Sequence, residues 1–336
     1  MIDQEQMYER YKRLLAEYME GKNEETLYNG QLFSRHMIEC GVSPEDVLSV
    51  HIEIMREFFP NMDERLESSF DFLLEAMIGY GLAYREHQNL RFKQRQLETE
   101  IDIAANVQQS LLVSAVPEID SLDIGVISKP AKKMSGDYYH FVRDEQNFLS
   151  IAIADVIGKG IPAAMCMSMI KYAMDSEPEQ RTKPSAVLEN LNRVVEQNVD
   201  PSMFITMFYG LYNEKEHRLY YASAGHEPGF FYSSQKDRFE ELTAKGRVLG
   251  LDRSTKYREY EKLIMPGDMI VLLSDGVTEC RTKKGFIERG EVVDLIRKRM
   301  DRSAQEIVDS VYKELERLQE FQLRDDFTLI ILKRRV

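Results

Sequence analysis

The sequence predicts an α+β chain in which an all-α N-terminal bundle and a connecting helix precede a domain of antiparallel sheets flanked by helix pairs. Three observations predict it. From Gln4 to about Tyr84, apolar side chains recur at spacings of three and four with no strand signal. After Pro117 the pattern changes to short runs rich in Ile, Val, Phe and Tyr, two of them joined across the short polar stretch Asn213 to His217. The strand runs group into hairpins while the helical stretches come in pairs, as expected for sheets covered by helix layers. At 336 residues the chain exceeds one average domain. The expected division is 1–84, a helical regulatory and partner-binding domain; 85–119, a connecting helix with coiled-coil character; and 120–336, the sheet domain.

In the N-terminal part, Met7, Tyr11, Leu14, Leu15 and Tyr18 fall on one helix face. Ser43-Pro44-Glu45-Asp46 reads as an N-cap followed by proline in the first turn and acids near the positive end of the helix dipole. Gly41 closes the preceding helix and Pro60 marks another break, giving about four helices, enough for a small bundle core. Residues 86–112 stay helical but lose the dense apolar face, as in RFKQRQLETE. Leu90, Leu97, Ala104 and Leu111 recur every seven residues, with Gln94, Ile101 and Gln108 at the alternating seam positions. Such a seam pairs helices weakly, so a homodimer is expected. A solvated helix packed on its own domain is the alternative.

In the sheet domain the strand runs are LDIGVIS (122–128), FLSIAIADV (148–156), MFITMFYGLY (203–212), RLYYASAG (218–225), MIVLLSDGV (269–277) and FTLIILKR at the end. Helices are expected from Pro162 to about Ser176 and from Pro184 to about Val199, with two more before the final strand.

Charge and cysteine content narrow the functional classes. Acidic residues outnumber basic ones by 57 to 44, and a net charge of −13 disfavours nucleic acid and anionic membrane as partners. Cys40, Cys166 and Cys280 are far apart, with no C-x-x-C spacing, which supports neither a zinc site nor a disulfide framework and suits a reducing compartment. No basic and apolar leader opens the sequence and no apolar run approaches membrane-spanning length, so a cytoplasmic location is expected.

The chemistry points to four aspartates at strand ends: Asp137 in KKMSGDYYHF, Asp155 closing IAIAD, Asp275 closing IVLLSD and Asp325 opening DDFTLIIL. A carboxylate at the mouth of a buried strand is costly unless neutralised, and four from separate strands can converge on one sheet edge. Oxygen donors imply magnesium or manganese, because the six histidines are scattered. Gly136, Gly158, Gly160 and Gly276 let backbone approach a metal or phosphate closely. The loop after Asp155, with Lys159, lacks phosphate-loop spacing, and no G-x-S-x-G elbow is present. His140 and His226 lie beside these segments and read as hydrogen-bonded structural residues, with ASAGHEP forming a tight turn beneath the site. A nucleotidyl cyclase would use paired aspartates near IADVIG but has no need of the later SDG and DDFT segments. An inert binding module would need none of the four.

In this order, SGDYY, ADVIGKGIPAA, AGHEP, LLSDGVTE and DDFTL resemble the SpoIIE-type branch of the metal-dependent PPM protein phosphatases, and AANVQQSLLVSAVP resembles the helix that enters that domain. The resemblance implies a metal-dependent protein serine/threonine phosphatase with two Mn2+ or Mg2+ ions. It assigns Asp137, Asp155, Asp275 and Asp325 to catalysis and metal binding, with Asp155 bridging, the Val156 carbonyl helping, and Asp326 as a neighbouring candidate ligand. Many relatives have a histidine just after the bridging aspartate, where this chain has Val156 and Ile157, and an arginine where it has Lys132. The helical N-terminal domain extends the resemblance to regulators of a general-stress sigma factor. It implies the phosphorylated anti-anti-sigma factor RsbV as substrate and the switch protein RsbT as activator through residues 1–84.

Overall fold

The computed structural model describes residues 4–112, 115–158, 160–176, 183–200, 203–282, 285–321 and 323–336. Lys159, named above, and the side chain of Leu111 lie outside the described part. The chain divides into two compact units, Met1–Thr99 and Glu100–Val336. No helix among the described residues is long and apolar enough to cross a membrane.

The first unit contains α1 (Gln4–Glu20), α2 (Glu24–Glu39), α3 (Pro44–Phe58) and the start of α4 (Glu64–Leu112). The punctuation read from sequence operates as expected. Gly41 ends α2 with φ of +77°, a conformation open to glycine at little cost. Ser43 caps α3: its Oγ accepts from Asp46 N at 3.2 Å while Asp46 Oδ2 accepts from Ser43 N at 3.3 Å. Met7, Phe33 and Met37 form a small core joined by Tyr11, Leu14, Val42, Val47 and Val50. Leu15 and Tyr18 are half-buried. On α4 the expected seam residues Leu90 and Leu97 are each 60% exposed.

The second unit begins with the end of α4 and continues through β1 (Leu122–Lys129), β2 (Asp137–Arg143), β3 (Phe148–Val156), α5 (Ile161–Ser176), α6 (Pro184–Asn198), β4 (Ile205–Asn213) and β5 (Arg218–Ala224). Then come β6 (Gly229–Ser233), β7 (Arg238–Leu242), β8 (Tyr260–Leu263), β9 (Met269–Leu273), the one-turn α7 (Asp275–Thr278), and the small hairpin β10 (Arg281–Thr282) and β11 (Gly285–Phe286). The chain closes with α8 (Arg289–Arg297), α9 (Ala304–Leu318) and β12 (Phe327–Arg334). Two five-stranded sheets result, ordered β1-β12-β9-β6-β7 and β2-β3-β4-β5-β8, and all their strand pairs are antiparallel.

Strand alternation explains how the layers stack. On β3, Leu149, Ile151 and Ile153 enter the core between the sheets, while Ala152, Ala154 and Val156 face a core shared with α5 and α6. On β12, Ile330 and Leu332 point between the sheets, while Phe327, Leu329 and Ile331 meet α8 and α9. Central strands are thus apolar on both faces, which is why they read as nearly unbroken runs. The architecture is helix pair, sheet, sheet, helix pair.

Several boundaries differ from the sequence reading. The run at 269–277 stops as a strand at Leu273: Ser274 occupies the N-cap position and Asp275 opens α7 rather than closing a strand. The run at 203–212 pairs only from Ile205. Asp325 lies two residues before β12 begins at Phe327. Strands β2, β6, β7 and β8 were not among the expected runs, because they are short or mix polar and aromatic residues.

Ile153 is fully buried between the sheets on the strand that carries Asp155. Ile153→Ala should cost about 2–5 kcal/mol of unfolding free energy in urea denaturation. A loss under about 1 kcal/mol would contradict tight packing between the sheets.

Candidate active site

β2 and β3 pair antiparallel with Asp137 directly opposite Asp155. Like charges in that register repel, and burial in a strand end sharpens the conflict. Asp137 is 3% exposed. Ser274 Oγ donates to its Oδ2 at 2.6 Å, and its Oδ1 is buried with no hydrogen-bond partner among the described residues. Burial first, and the Asp155 charge second, push the Asp137 carboxyl well above the usual carboxylate range, against the hydroxyls of Ser274 and Thr328.

A second carboxylate pair comes from the other sheet. Asp275, at the start of α7, is pushed up to about 6 by burial and then by Asp325, Glu279 and Glu227. Gly276 follows because nothing larger fits: a Cβ there would lie 2.0 Å from the Asp326 carbonyl. Asp155 and Asp275 line one cavity of about 280 Å³ together with Thr206, His226, Glu227 and Glu279. Among the described residues, no three His, Cys, Asp or Glu side chains form a ready-made cluster for one ion. The four aspartates are arranged instead as two interacting pairs.

The remaining expected residues take other places. Both oxygens of Asp326 are committed to main chain, Oδ1 accepting from Ala131 N at 2.7 Å and Oδ2 from Gly136 N at 2.5 Å. It holds a loop. Val156 is buried, and its N–H donates to the Gly136 carbonyl at 3.2 Å. Lys132 is exposed. His140 lies under α5 with Nε2 3.5 Å from Asp175 Oδ1 and its ring stacked 5.8 Å from Tyr138, away from the cavity. His226 does line the cavity, where Thr206 Oγ1 meets its Nδ1 at 3.0 Å. Burial pulls it down to about 4, opposed by the Leu273 carbonyl, so it is neutral near pH 7.

Sequence reasoning assigned no role to Ser274, Glu227, Thr278 or Arg289. Thr278 Oγ1 donates to both Glu227 oxygens at 2.9 and 2.8 Å. The Arg289 guanidinium donates to Glu227 and the Pro228 carbonyl while lying 4.6 Å over Phe230. Ser274, Glu227 and Thr278 sit inside motifs already quoted, whereas Arg289 stands 62 residues from Glu227 with no local signal.

Residues 145–335 match the family described as Stage II sporulation protein E (SpoIIE), and residues 9–83 match the N-terminal domain of phosphoserine phosphatase RsbU. The chain belongs to the SpoIIE family and is an enzyme, a protein phosphatase with the PP2C fold. Within that family it is similar to phosphoserine phosphatase RsbU of Bacillus subtilis strain 168, at 57% identity over 98% of both chains. The fold is shared with the PP2C domain of SiaA from Pseudomonas aeruginosa, at TM-score 0.62 and 20% identity, covering 73% of this chain and 98% of that one. It is shared too with the phosphatase domain and regulatory fragment of SpoIIE from Bacillus subtilis, at TM-score 0.54 and 17% identity, covering 65% and 64%.

The neutral, buried His226 carries a pH signature. Its folded pKa of about 4 lies below its ordinary 6.5, so the unfolded chain takes up the proton first. Its stabilising contribution is complete above pH 6.5 and is lost as pH falls toward about 4, by roughly 3 kcal/mol in total. In chelator, urea unfolding from pH 7 to pH 4 should fall more steeply for the wild type than for His226→Asn. Parallel curves would contradict a buried neutral histidine.

Proposed function

We propose that this phosphatase hydrolyses the phosphoserine of the anti-anti-sigma factor RsbV and is activated by the switch protein RsbT through its N-terminal helices, working as a homodimer. In this reading two divalent cations, Mn2+ or Mg2+, are held by Asp137, Asp155 with the Val156 carbonyl, Asp275 and Asp325. The observation that carries the cation reading is the facing Asp137–Asp155 pair, with the Asp137 Oδ1 buried and unsatisfied. The donor set fits the group. All the side chains are hard oxygen donors, and magnesium-type ions are commonly bound by one or two carboxylates, with water and substrate phosphate completing the shell. A cavity lined by Asp155 and Asp275, one from each pair, suits that arrangement better than a closed protein cage would.

Bound divalent cations supply Lewis-acid polarisation of phosphoryl oxygens and lower the pKa of water. The chain's own part is to orient and hold. Ser274 fixes the Asp137 carboxylate through its Oγ. Thr206 spans the cavity wall, its Oγ1 3.5 Å from the Asp155 carbonyl and 3.0 Å from His226. Glu227, tied to Thr278 and Arg289, keeps α7 and hence Asp275 beside the loop after β5. His226 stays neutral near pH 7, which suits a wall residue better than a proton donor. The 57% identity to an RsbU phosphatase over nearly the whole chain supports RsbV and RsbT as the partners.

Purified chain with phosphorylated RsbV and Mn2+ should release phosphate, faster when RsbT is added and not at all in excess chelator. Asp155→Asn should lower kcat by about a hundredfold or more, roughly 3 kcal/mol or more in the barrier, while the fold persists by circular dichroism. Full activity of that variant, or turnover in chelator, would contradict the assignment. Turnover on other phosphoproteins but not on RsbV would contradict the substrate.

A further inference from the structure

Residues 130–136, which lead from β1 to Asp137, form neither helix nor strand. The position of Asp137 therefore depends on what grips this segment. On one side Asp326 takes the N–H groups of Ala131 and Gly136 at 2.7 and 2.5 Å. Val156 N donates to the Gly136 carbonyl at 3.2 Å. On the other side stands Gln108 of α4, only 6% exposed. Its Nε2 donates to the Ser135 carbonyl at 2.7 Å and its Oε1 accepts from Ser135 N at 3.2 Å. One carboxamide engaging both peptide groups of one residue reproduces the two-bond pairing of antiparallel strands, so it fixes the rotation of the segment as well as its place. Ser135 then passes its hydroxyl to Asp137, whose N–H donates to Ser135 Oγ at 3.1 Å.

The spacing beyond this grip is tight. A Cβ at Gly136 would lie 3.3 Å from the Val156 carbonyl and 3.5 Å from Asp155 Oδ1. A turn of the segment thus alters how Asp137 faces Asp155. The other tie from α4, Lys133 Nζ to Asp102 Oδ1 at 2.6 Å, joins side chains about half exposed and contributes little. Gln108, by position a seam residue of a coiled coil, is instead turned into the phosphatase unit.

We propose that Gln108 is a positioning residue of the phosphatase. It sets the Ser135–Gly136 turn, hence the disposition of Asp137 toward Asp155, and makes cation affinity respond to movement of α4. This rests on the reading of those aspartates as cation ligands.

The test uses the full-length chain with Gln108→Met, which preserves length and packing but removes both hydrogen bonds, and Gln109→Met on the exposed neighbouring position as control. Three quantities are read: Mn2+ affinity by calorimetry, amide hydrogen exchange at Ser135 and Gly136 in metal-free protein, and kcat and KM on an aryl phosphate across Mn2+ concentrations. Gln108→Met should weaken Mn2+ binding at least tenfold, about 1.4 kcal/mol, and speed exchange at both amides. It should also lose kcat at low Mn2+ with recovery in excess Mn2+ and no change in KM. The control should match wild type. A lowered melting temperature with unchanged Mn2+ affinity and exchange would reduce Gln108 to packing and overturn the proposal. Should Gln108→Met not fold, Gln108→Asn, which withdraws the same amide by one methylene, takes the same readouts. No Mn2+ binding by the wild type would overturn the cation reading itself, and the positioning role with it.

Discussion

Asp137 and Asp155 face each other across neighbouring strands, and much of the surrounding structure can be understood as what it takes to hold two carboxylates where they repel. Asp155 lies near the end of β3, whose apolar residues enter the layers on its two faces, and Asp137 opens β2, which is paired along its whole length to β3. The conflict shows in the protonation of Asp137, raised by its own burial and by its partner. Asp275, opening α7 after β9, and Asp325, just before β12, interact in milder form, with Asp275 more accessible and pushed only to about 6. A fold that keeps this unfavourable charge gives up stability for a site. Such a trade is common where a cation completes the structure.

The groups around the carboxylates divide into those that offset charge and those that fix position. Ser274 does both: its Oγ donates to Asp137 while accepting from Thr328 N at 3.0 Å, which joins the strand end of one sheet to the loop of the other. Asp326 fixes position, each of its oxygens accepting from main chain, and its charge adds to the rise at Asp137. Glu227 is ion-paired to Arg289 and accepts from Thr278, so it shapes the cavity wall, while its charge still adds to the rise at Asp275. Adjacent residues in one motif therefore differ in surroundings: Asp326 grips main chain, while the Asp325 charge acts on Asp275.

Much of this was legible in the sequence, for reasons that can be named. The two-sided apolar strands β3, β9 and β12 announce buried sheets, and the Ser43 cap and Gly41 mark helix ends by local rules that tertiary context did not override. The four aspartates stood out because carboxylates seldom bound apolar runs, although Asp275 opens α7 and Asp325 lies two residues ahead of β12. Strands β7 and β8 were invisible because edge strands need no continuous apolar run, and β8 alternates half-buried with exposed residues over four positions, while β6, inside its sheet, is only five residues long and opens on Gly229. Arg289 and Gln108 were missed as functional neighbours because their partners, Glu227 and Ser135, are distant in sequence and meet them only through packing. The heptad spacing that placed Gln108 in a seam was accurate arithmetic, but a 3.6-residue turn lets one helix serve two surfaces.

If repulsion between Asp137 and Asp155 is the constraint that bound cations relieve, then thermal stability measures it directly. The decisive measurement is the melting temperature of wild type and Asp155→Asn, each in chelator and in increasing Mn2+. Wild type should melt higher as Mn2+ rises, whereas Asp155→Asn should melt higher than wild type in chelator and gain little from Mn2+. A wild type indifferent to Mn2+, together with an Asp155→Asn protein less stable than wild type in chelator, would contradict the account.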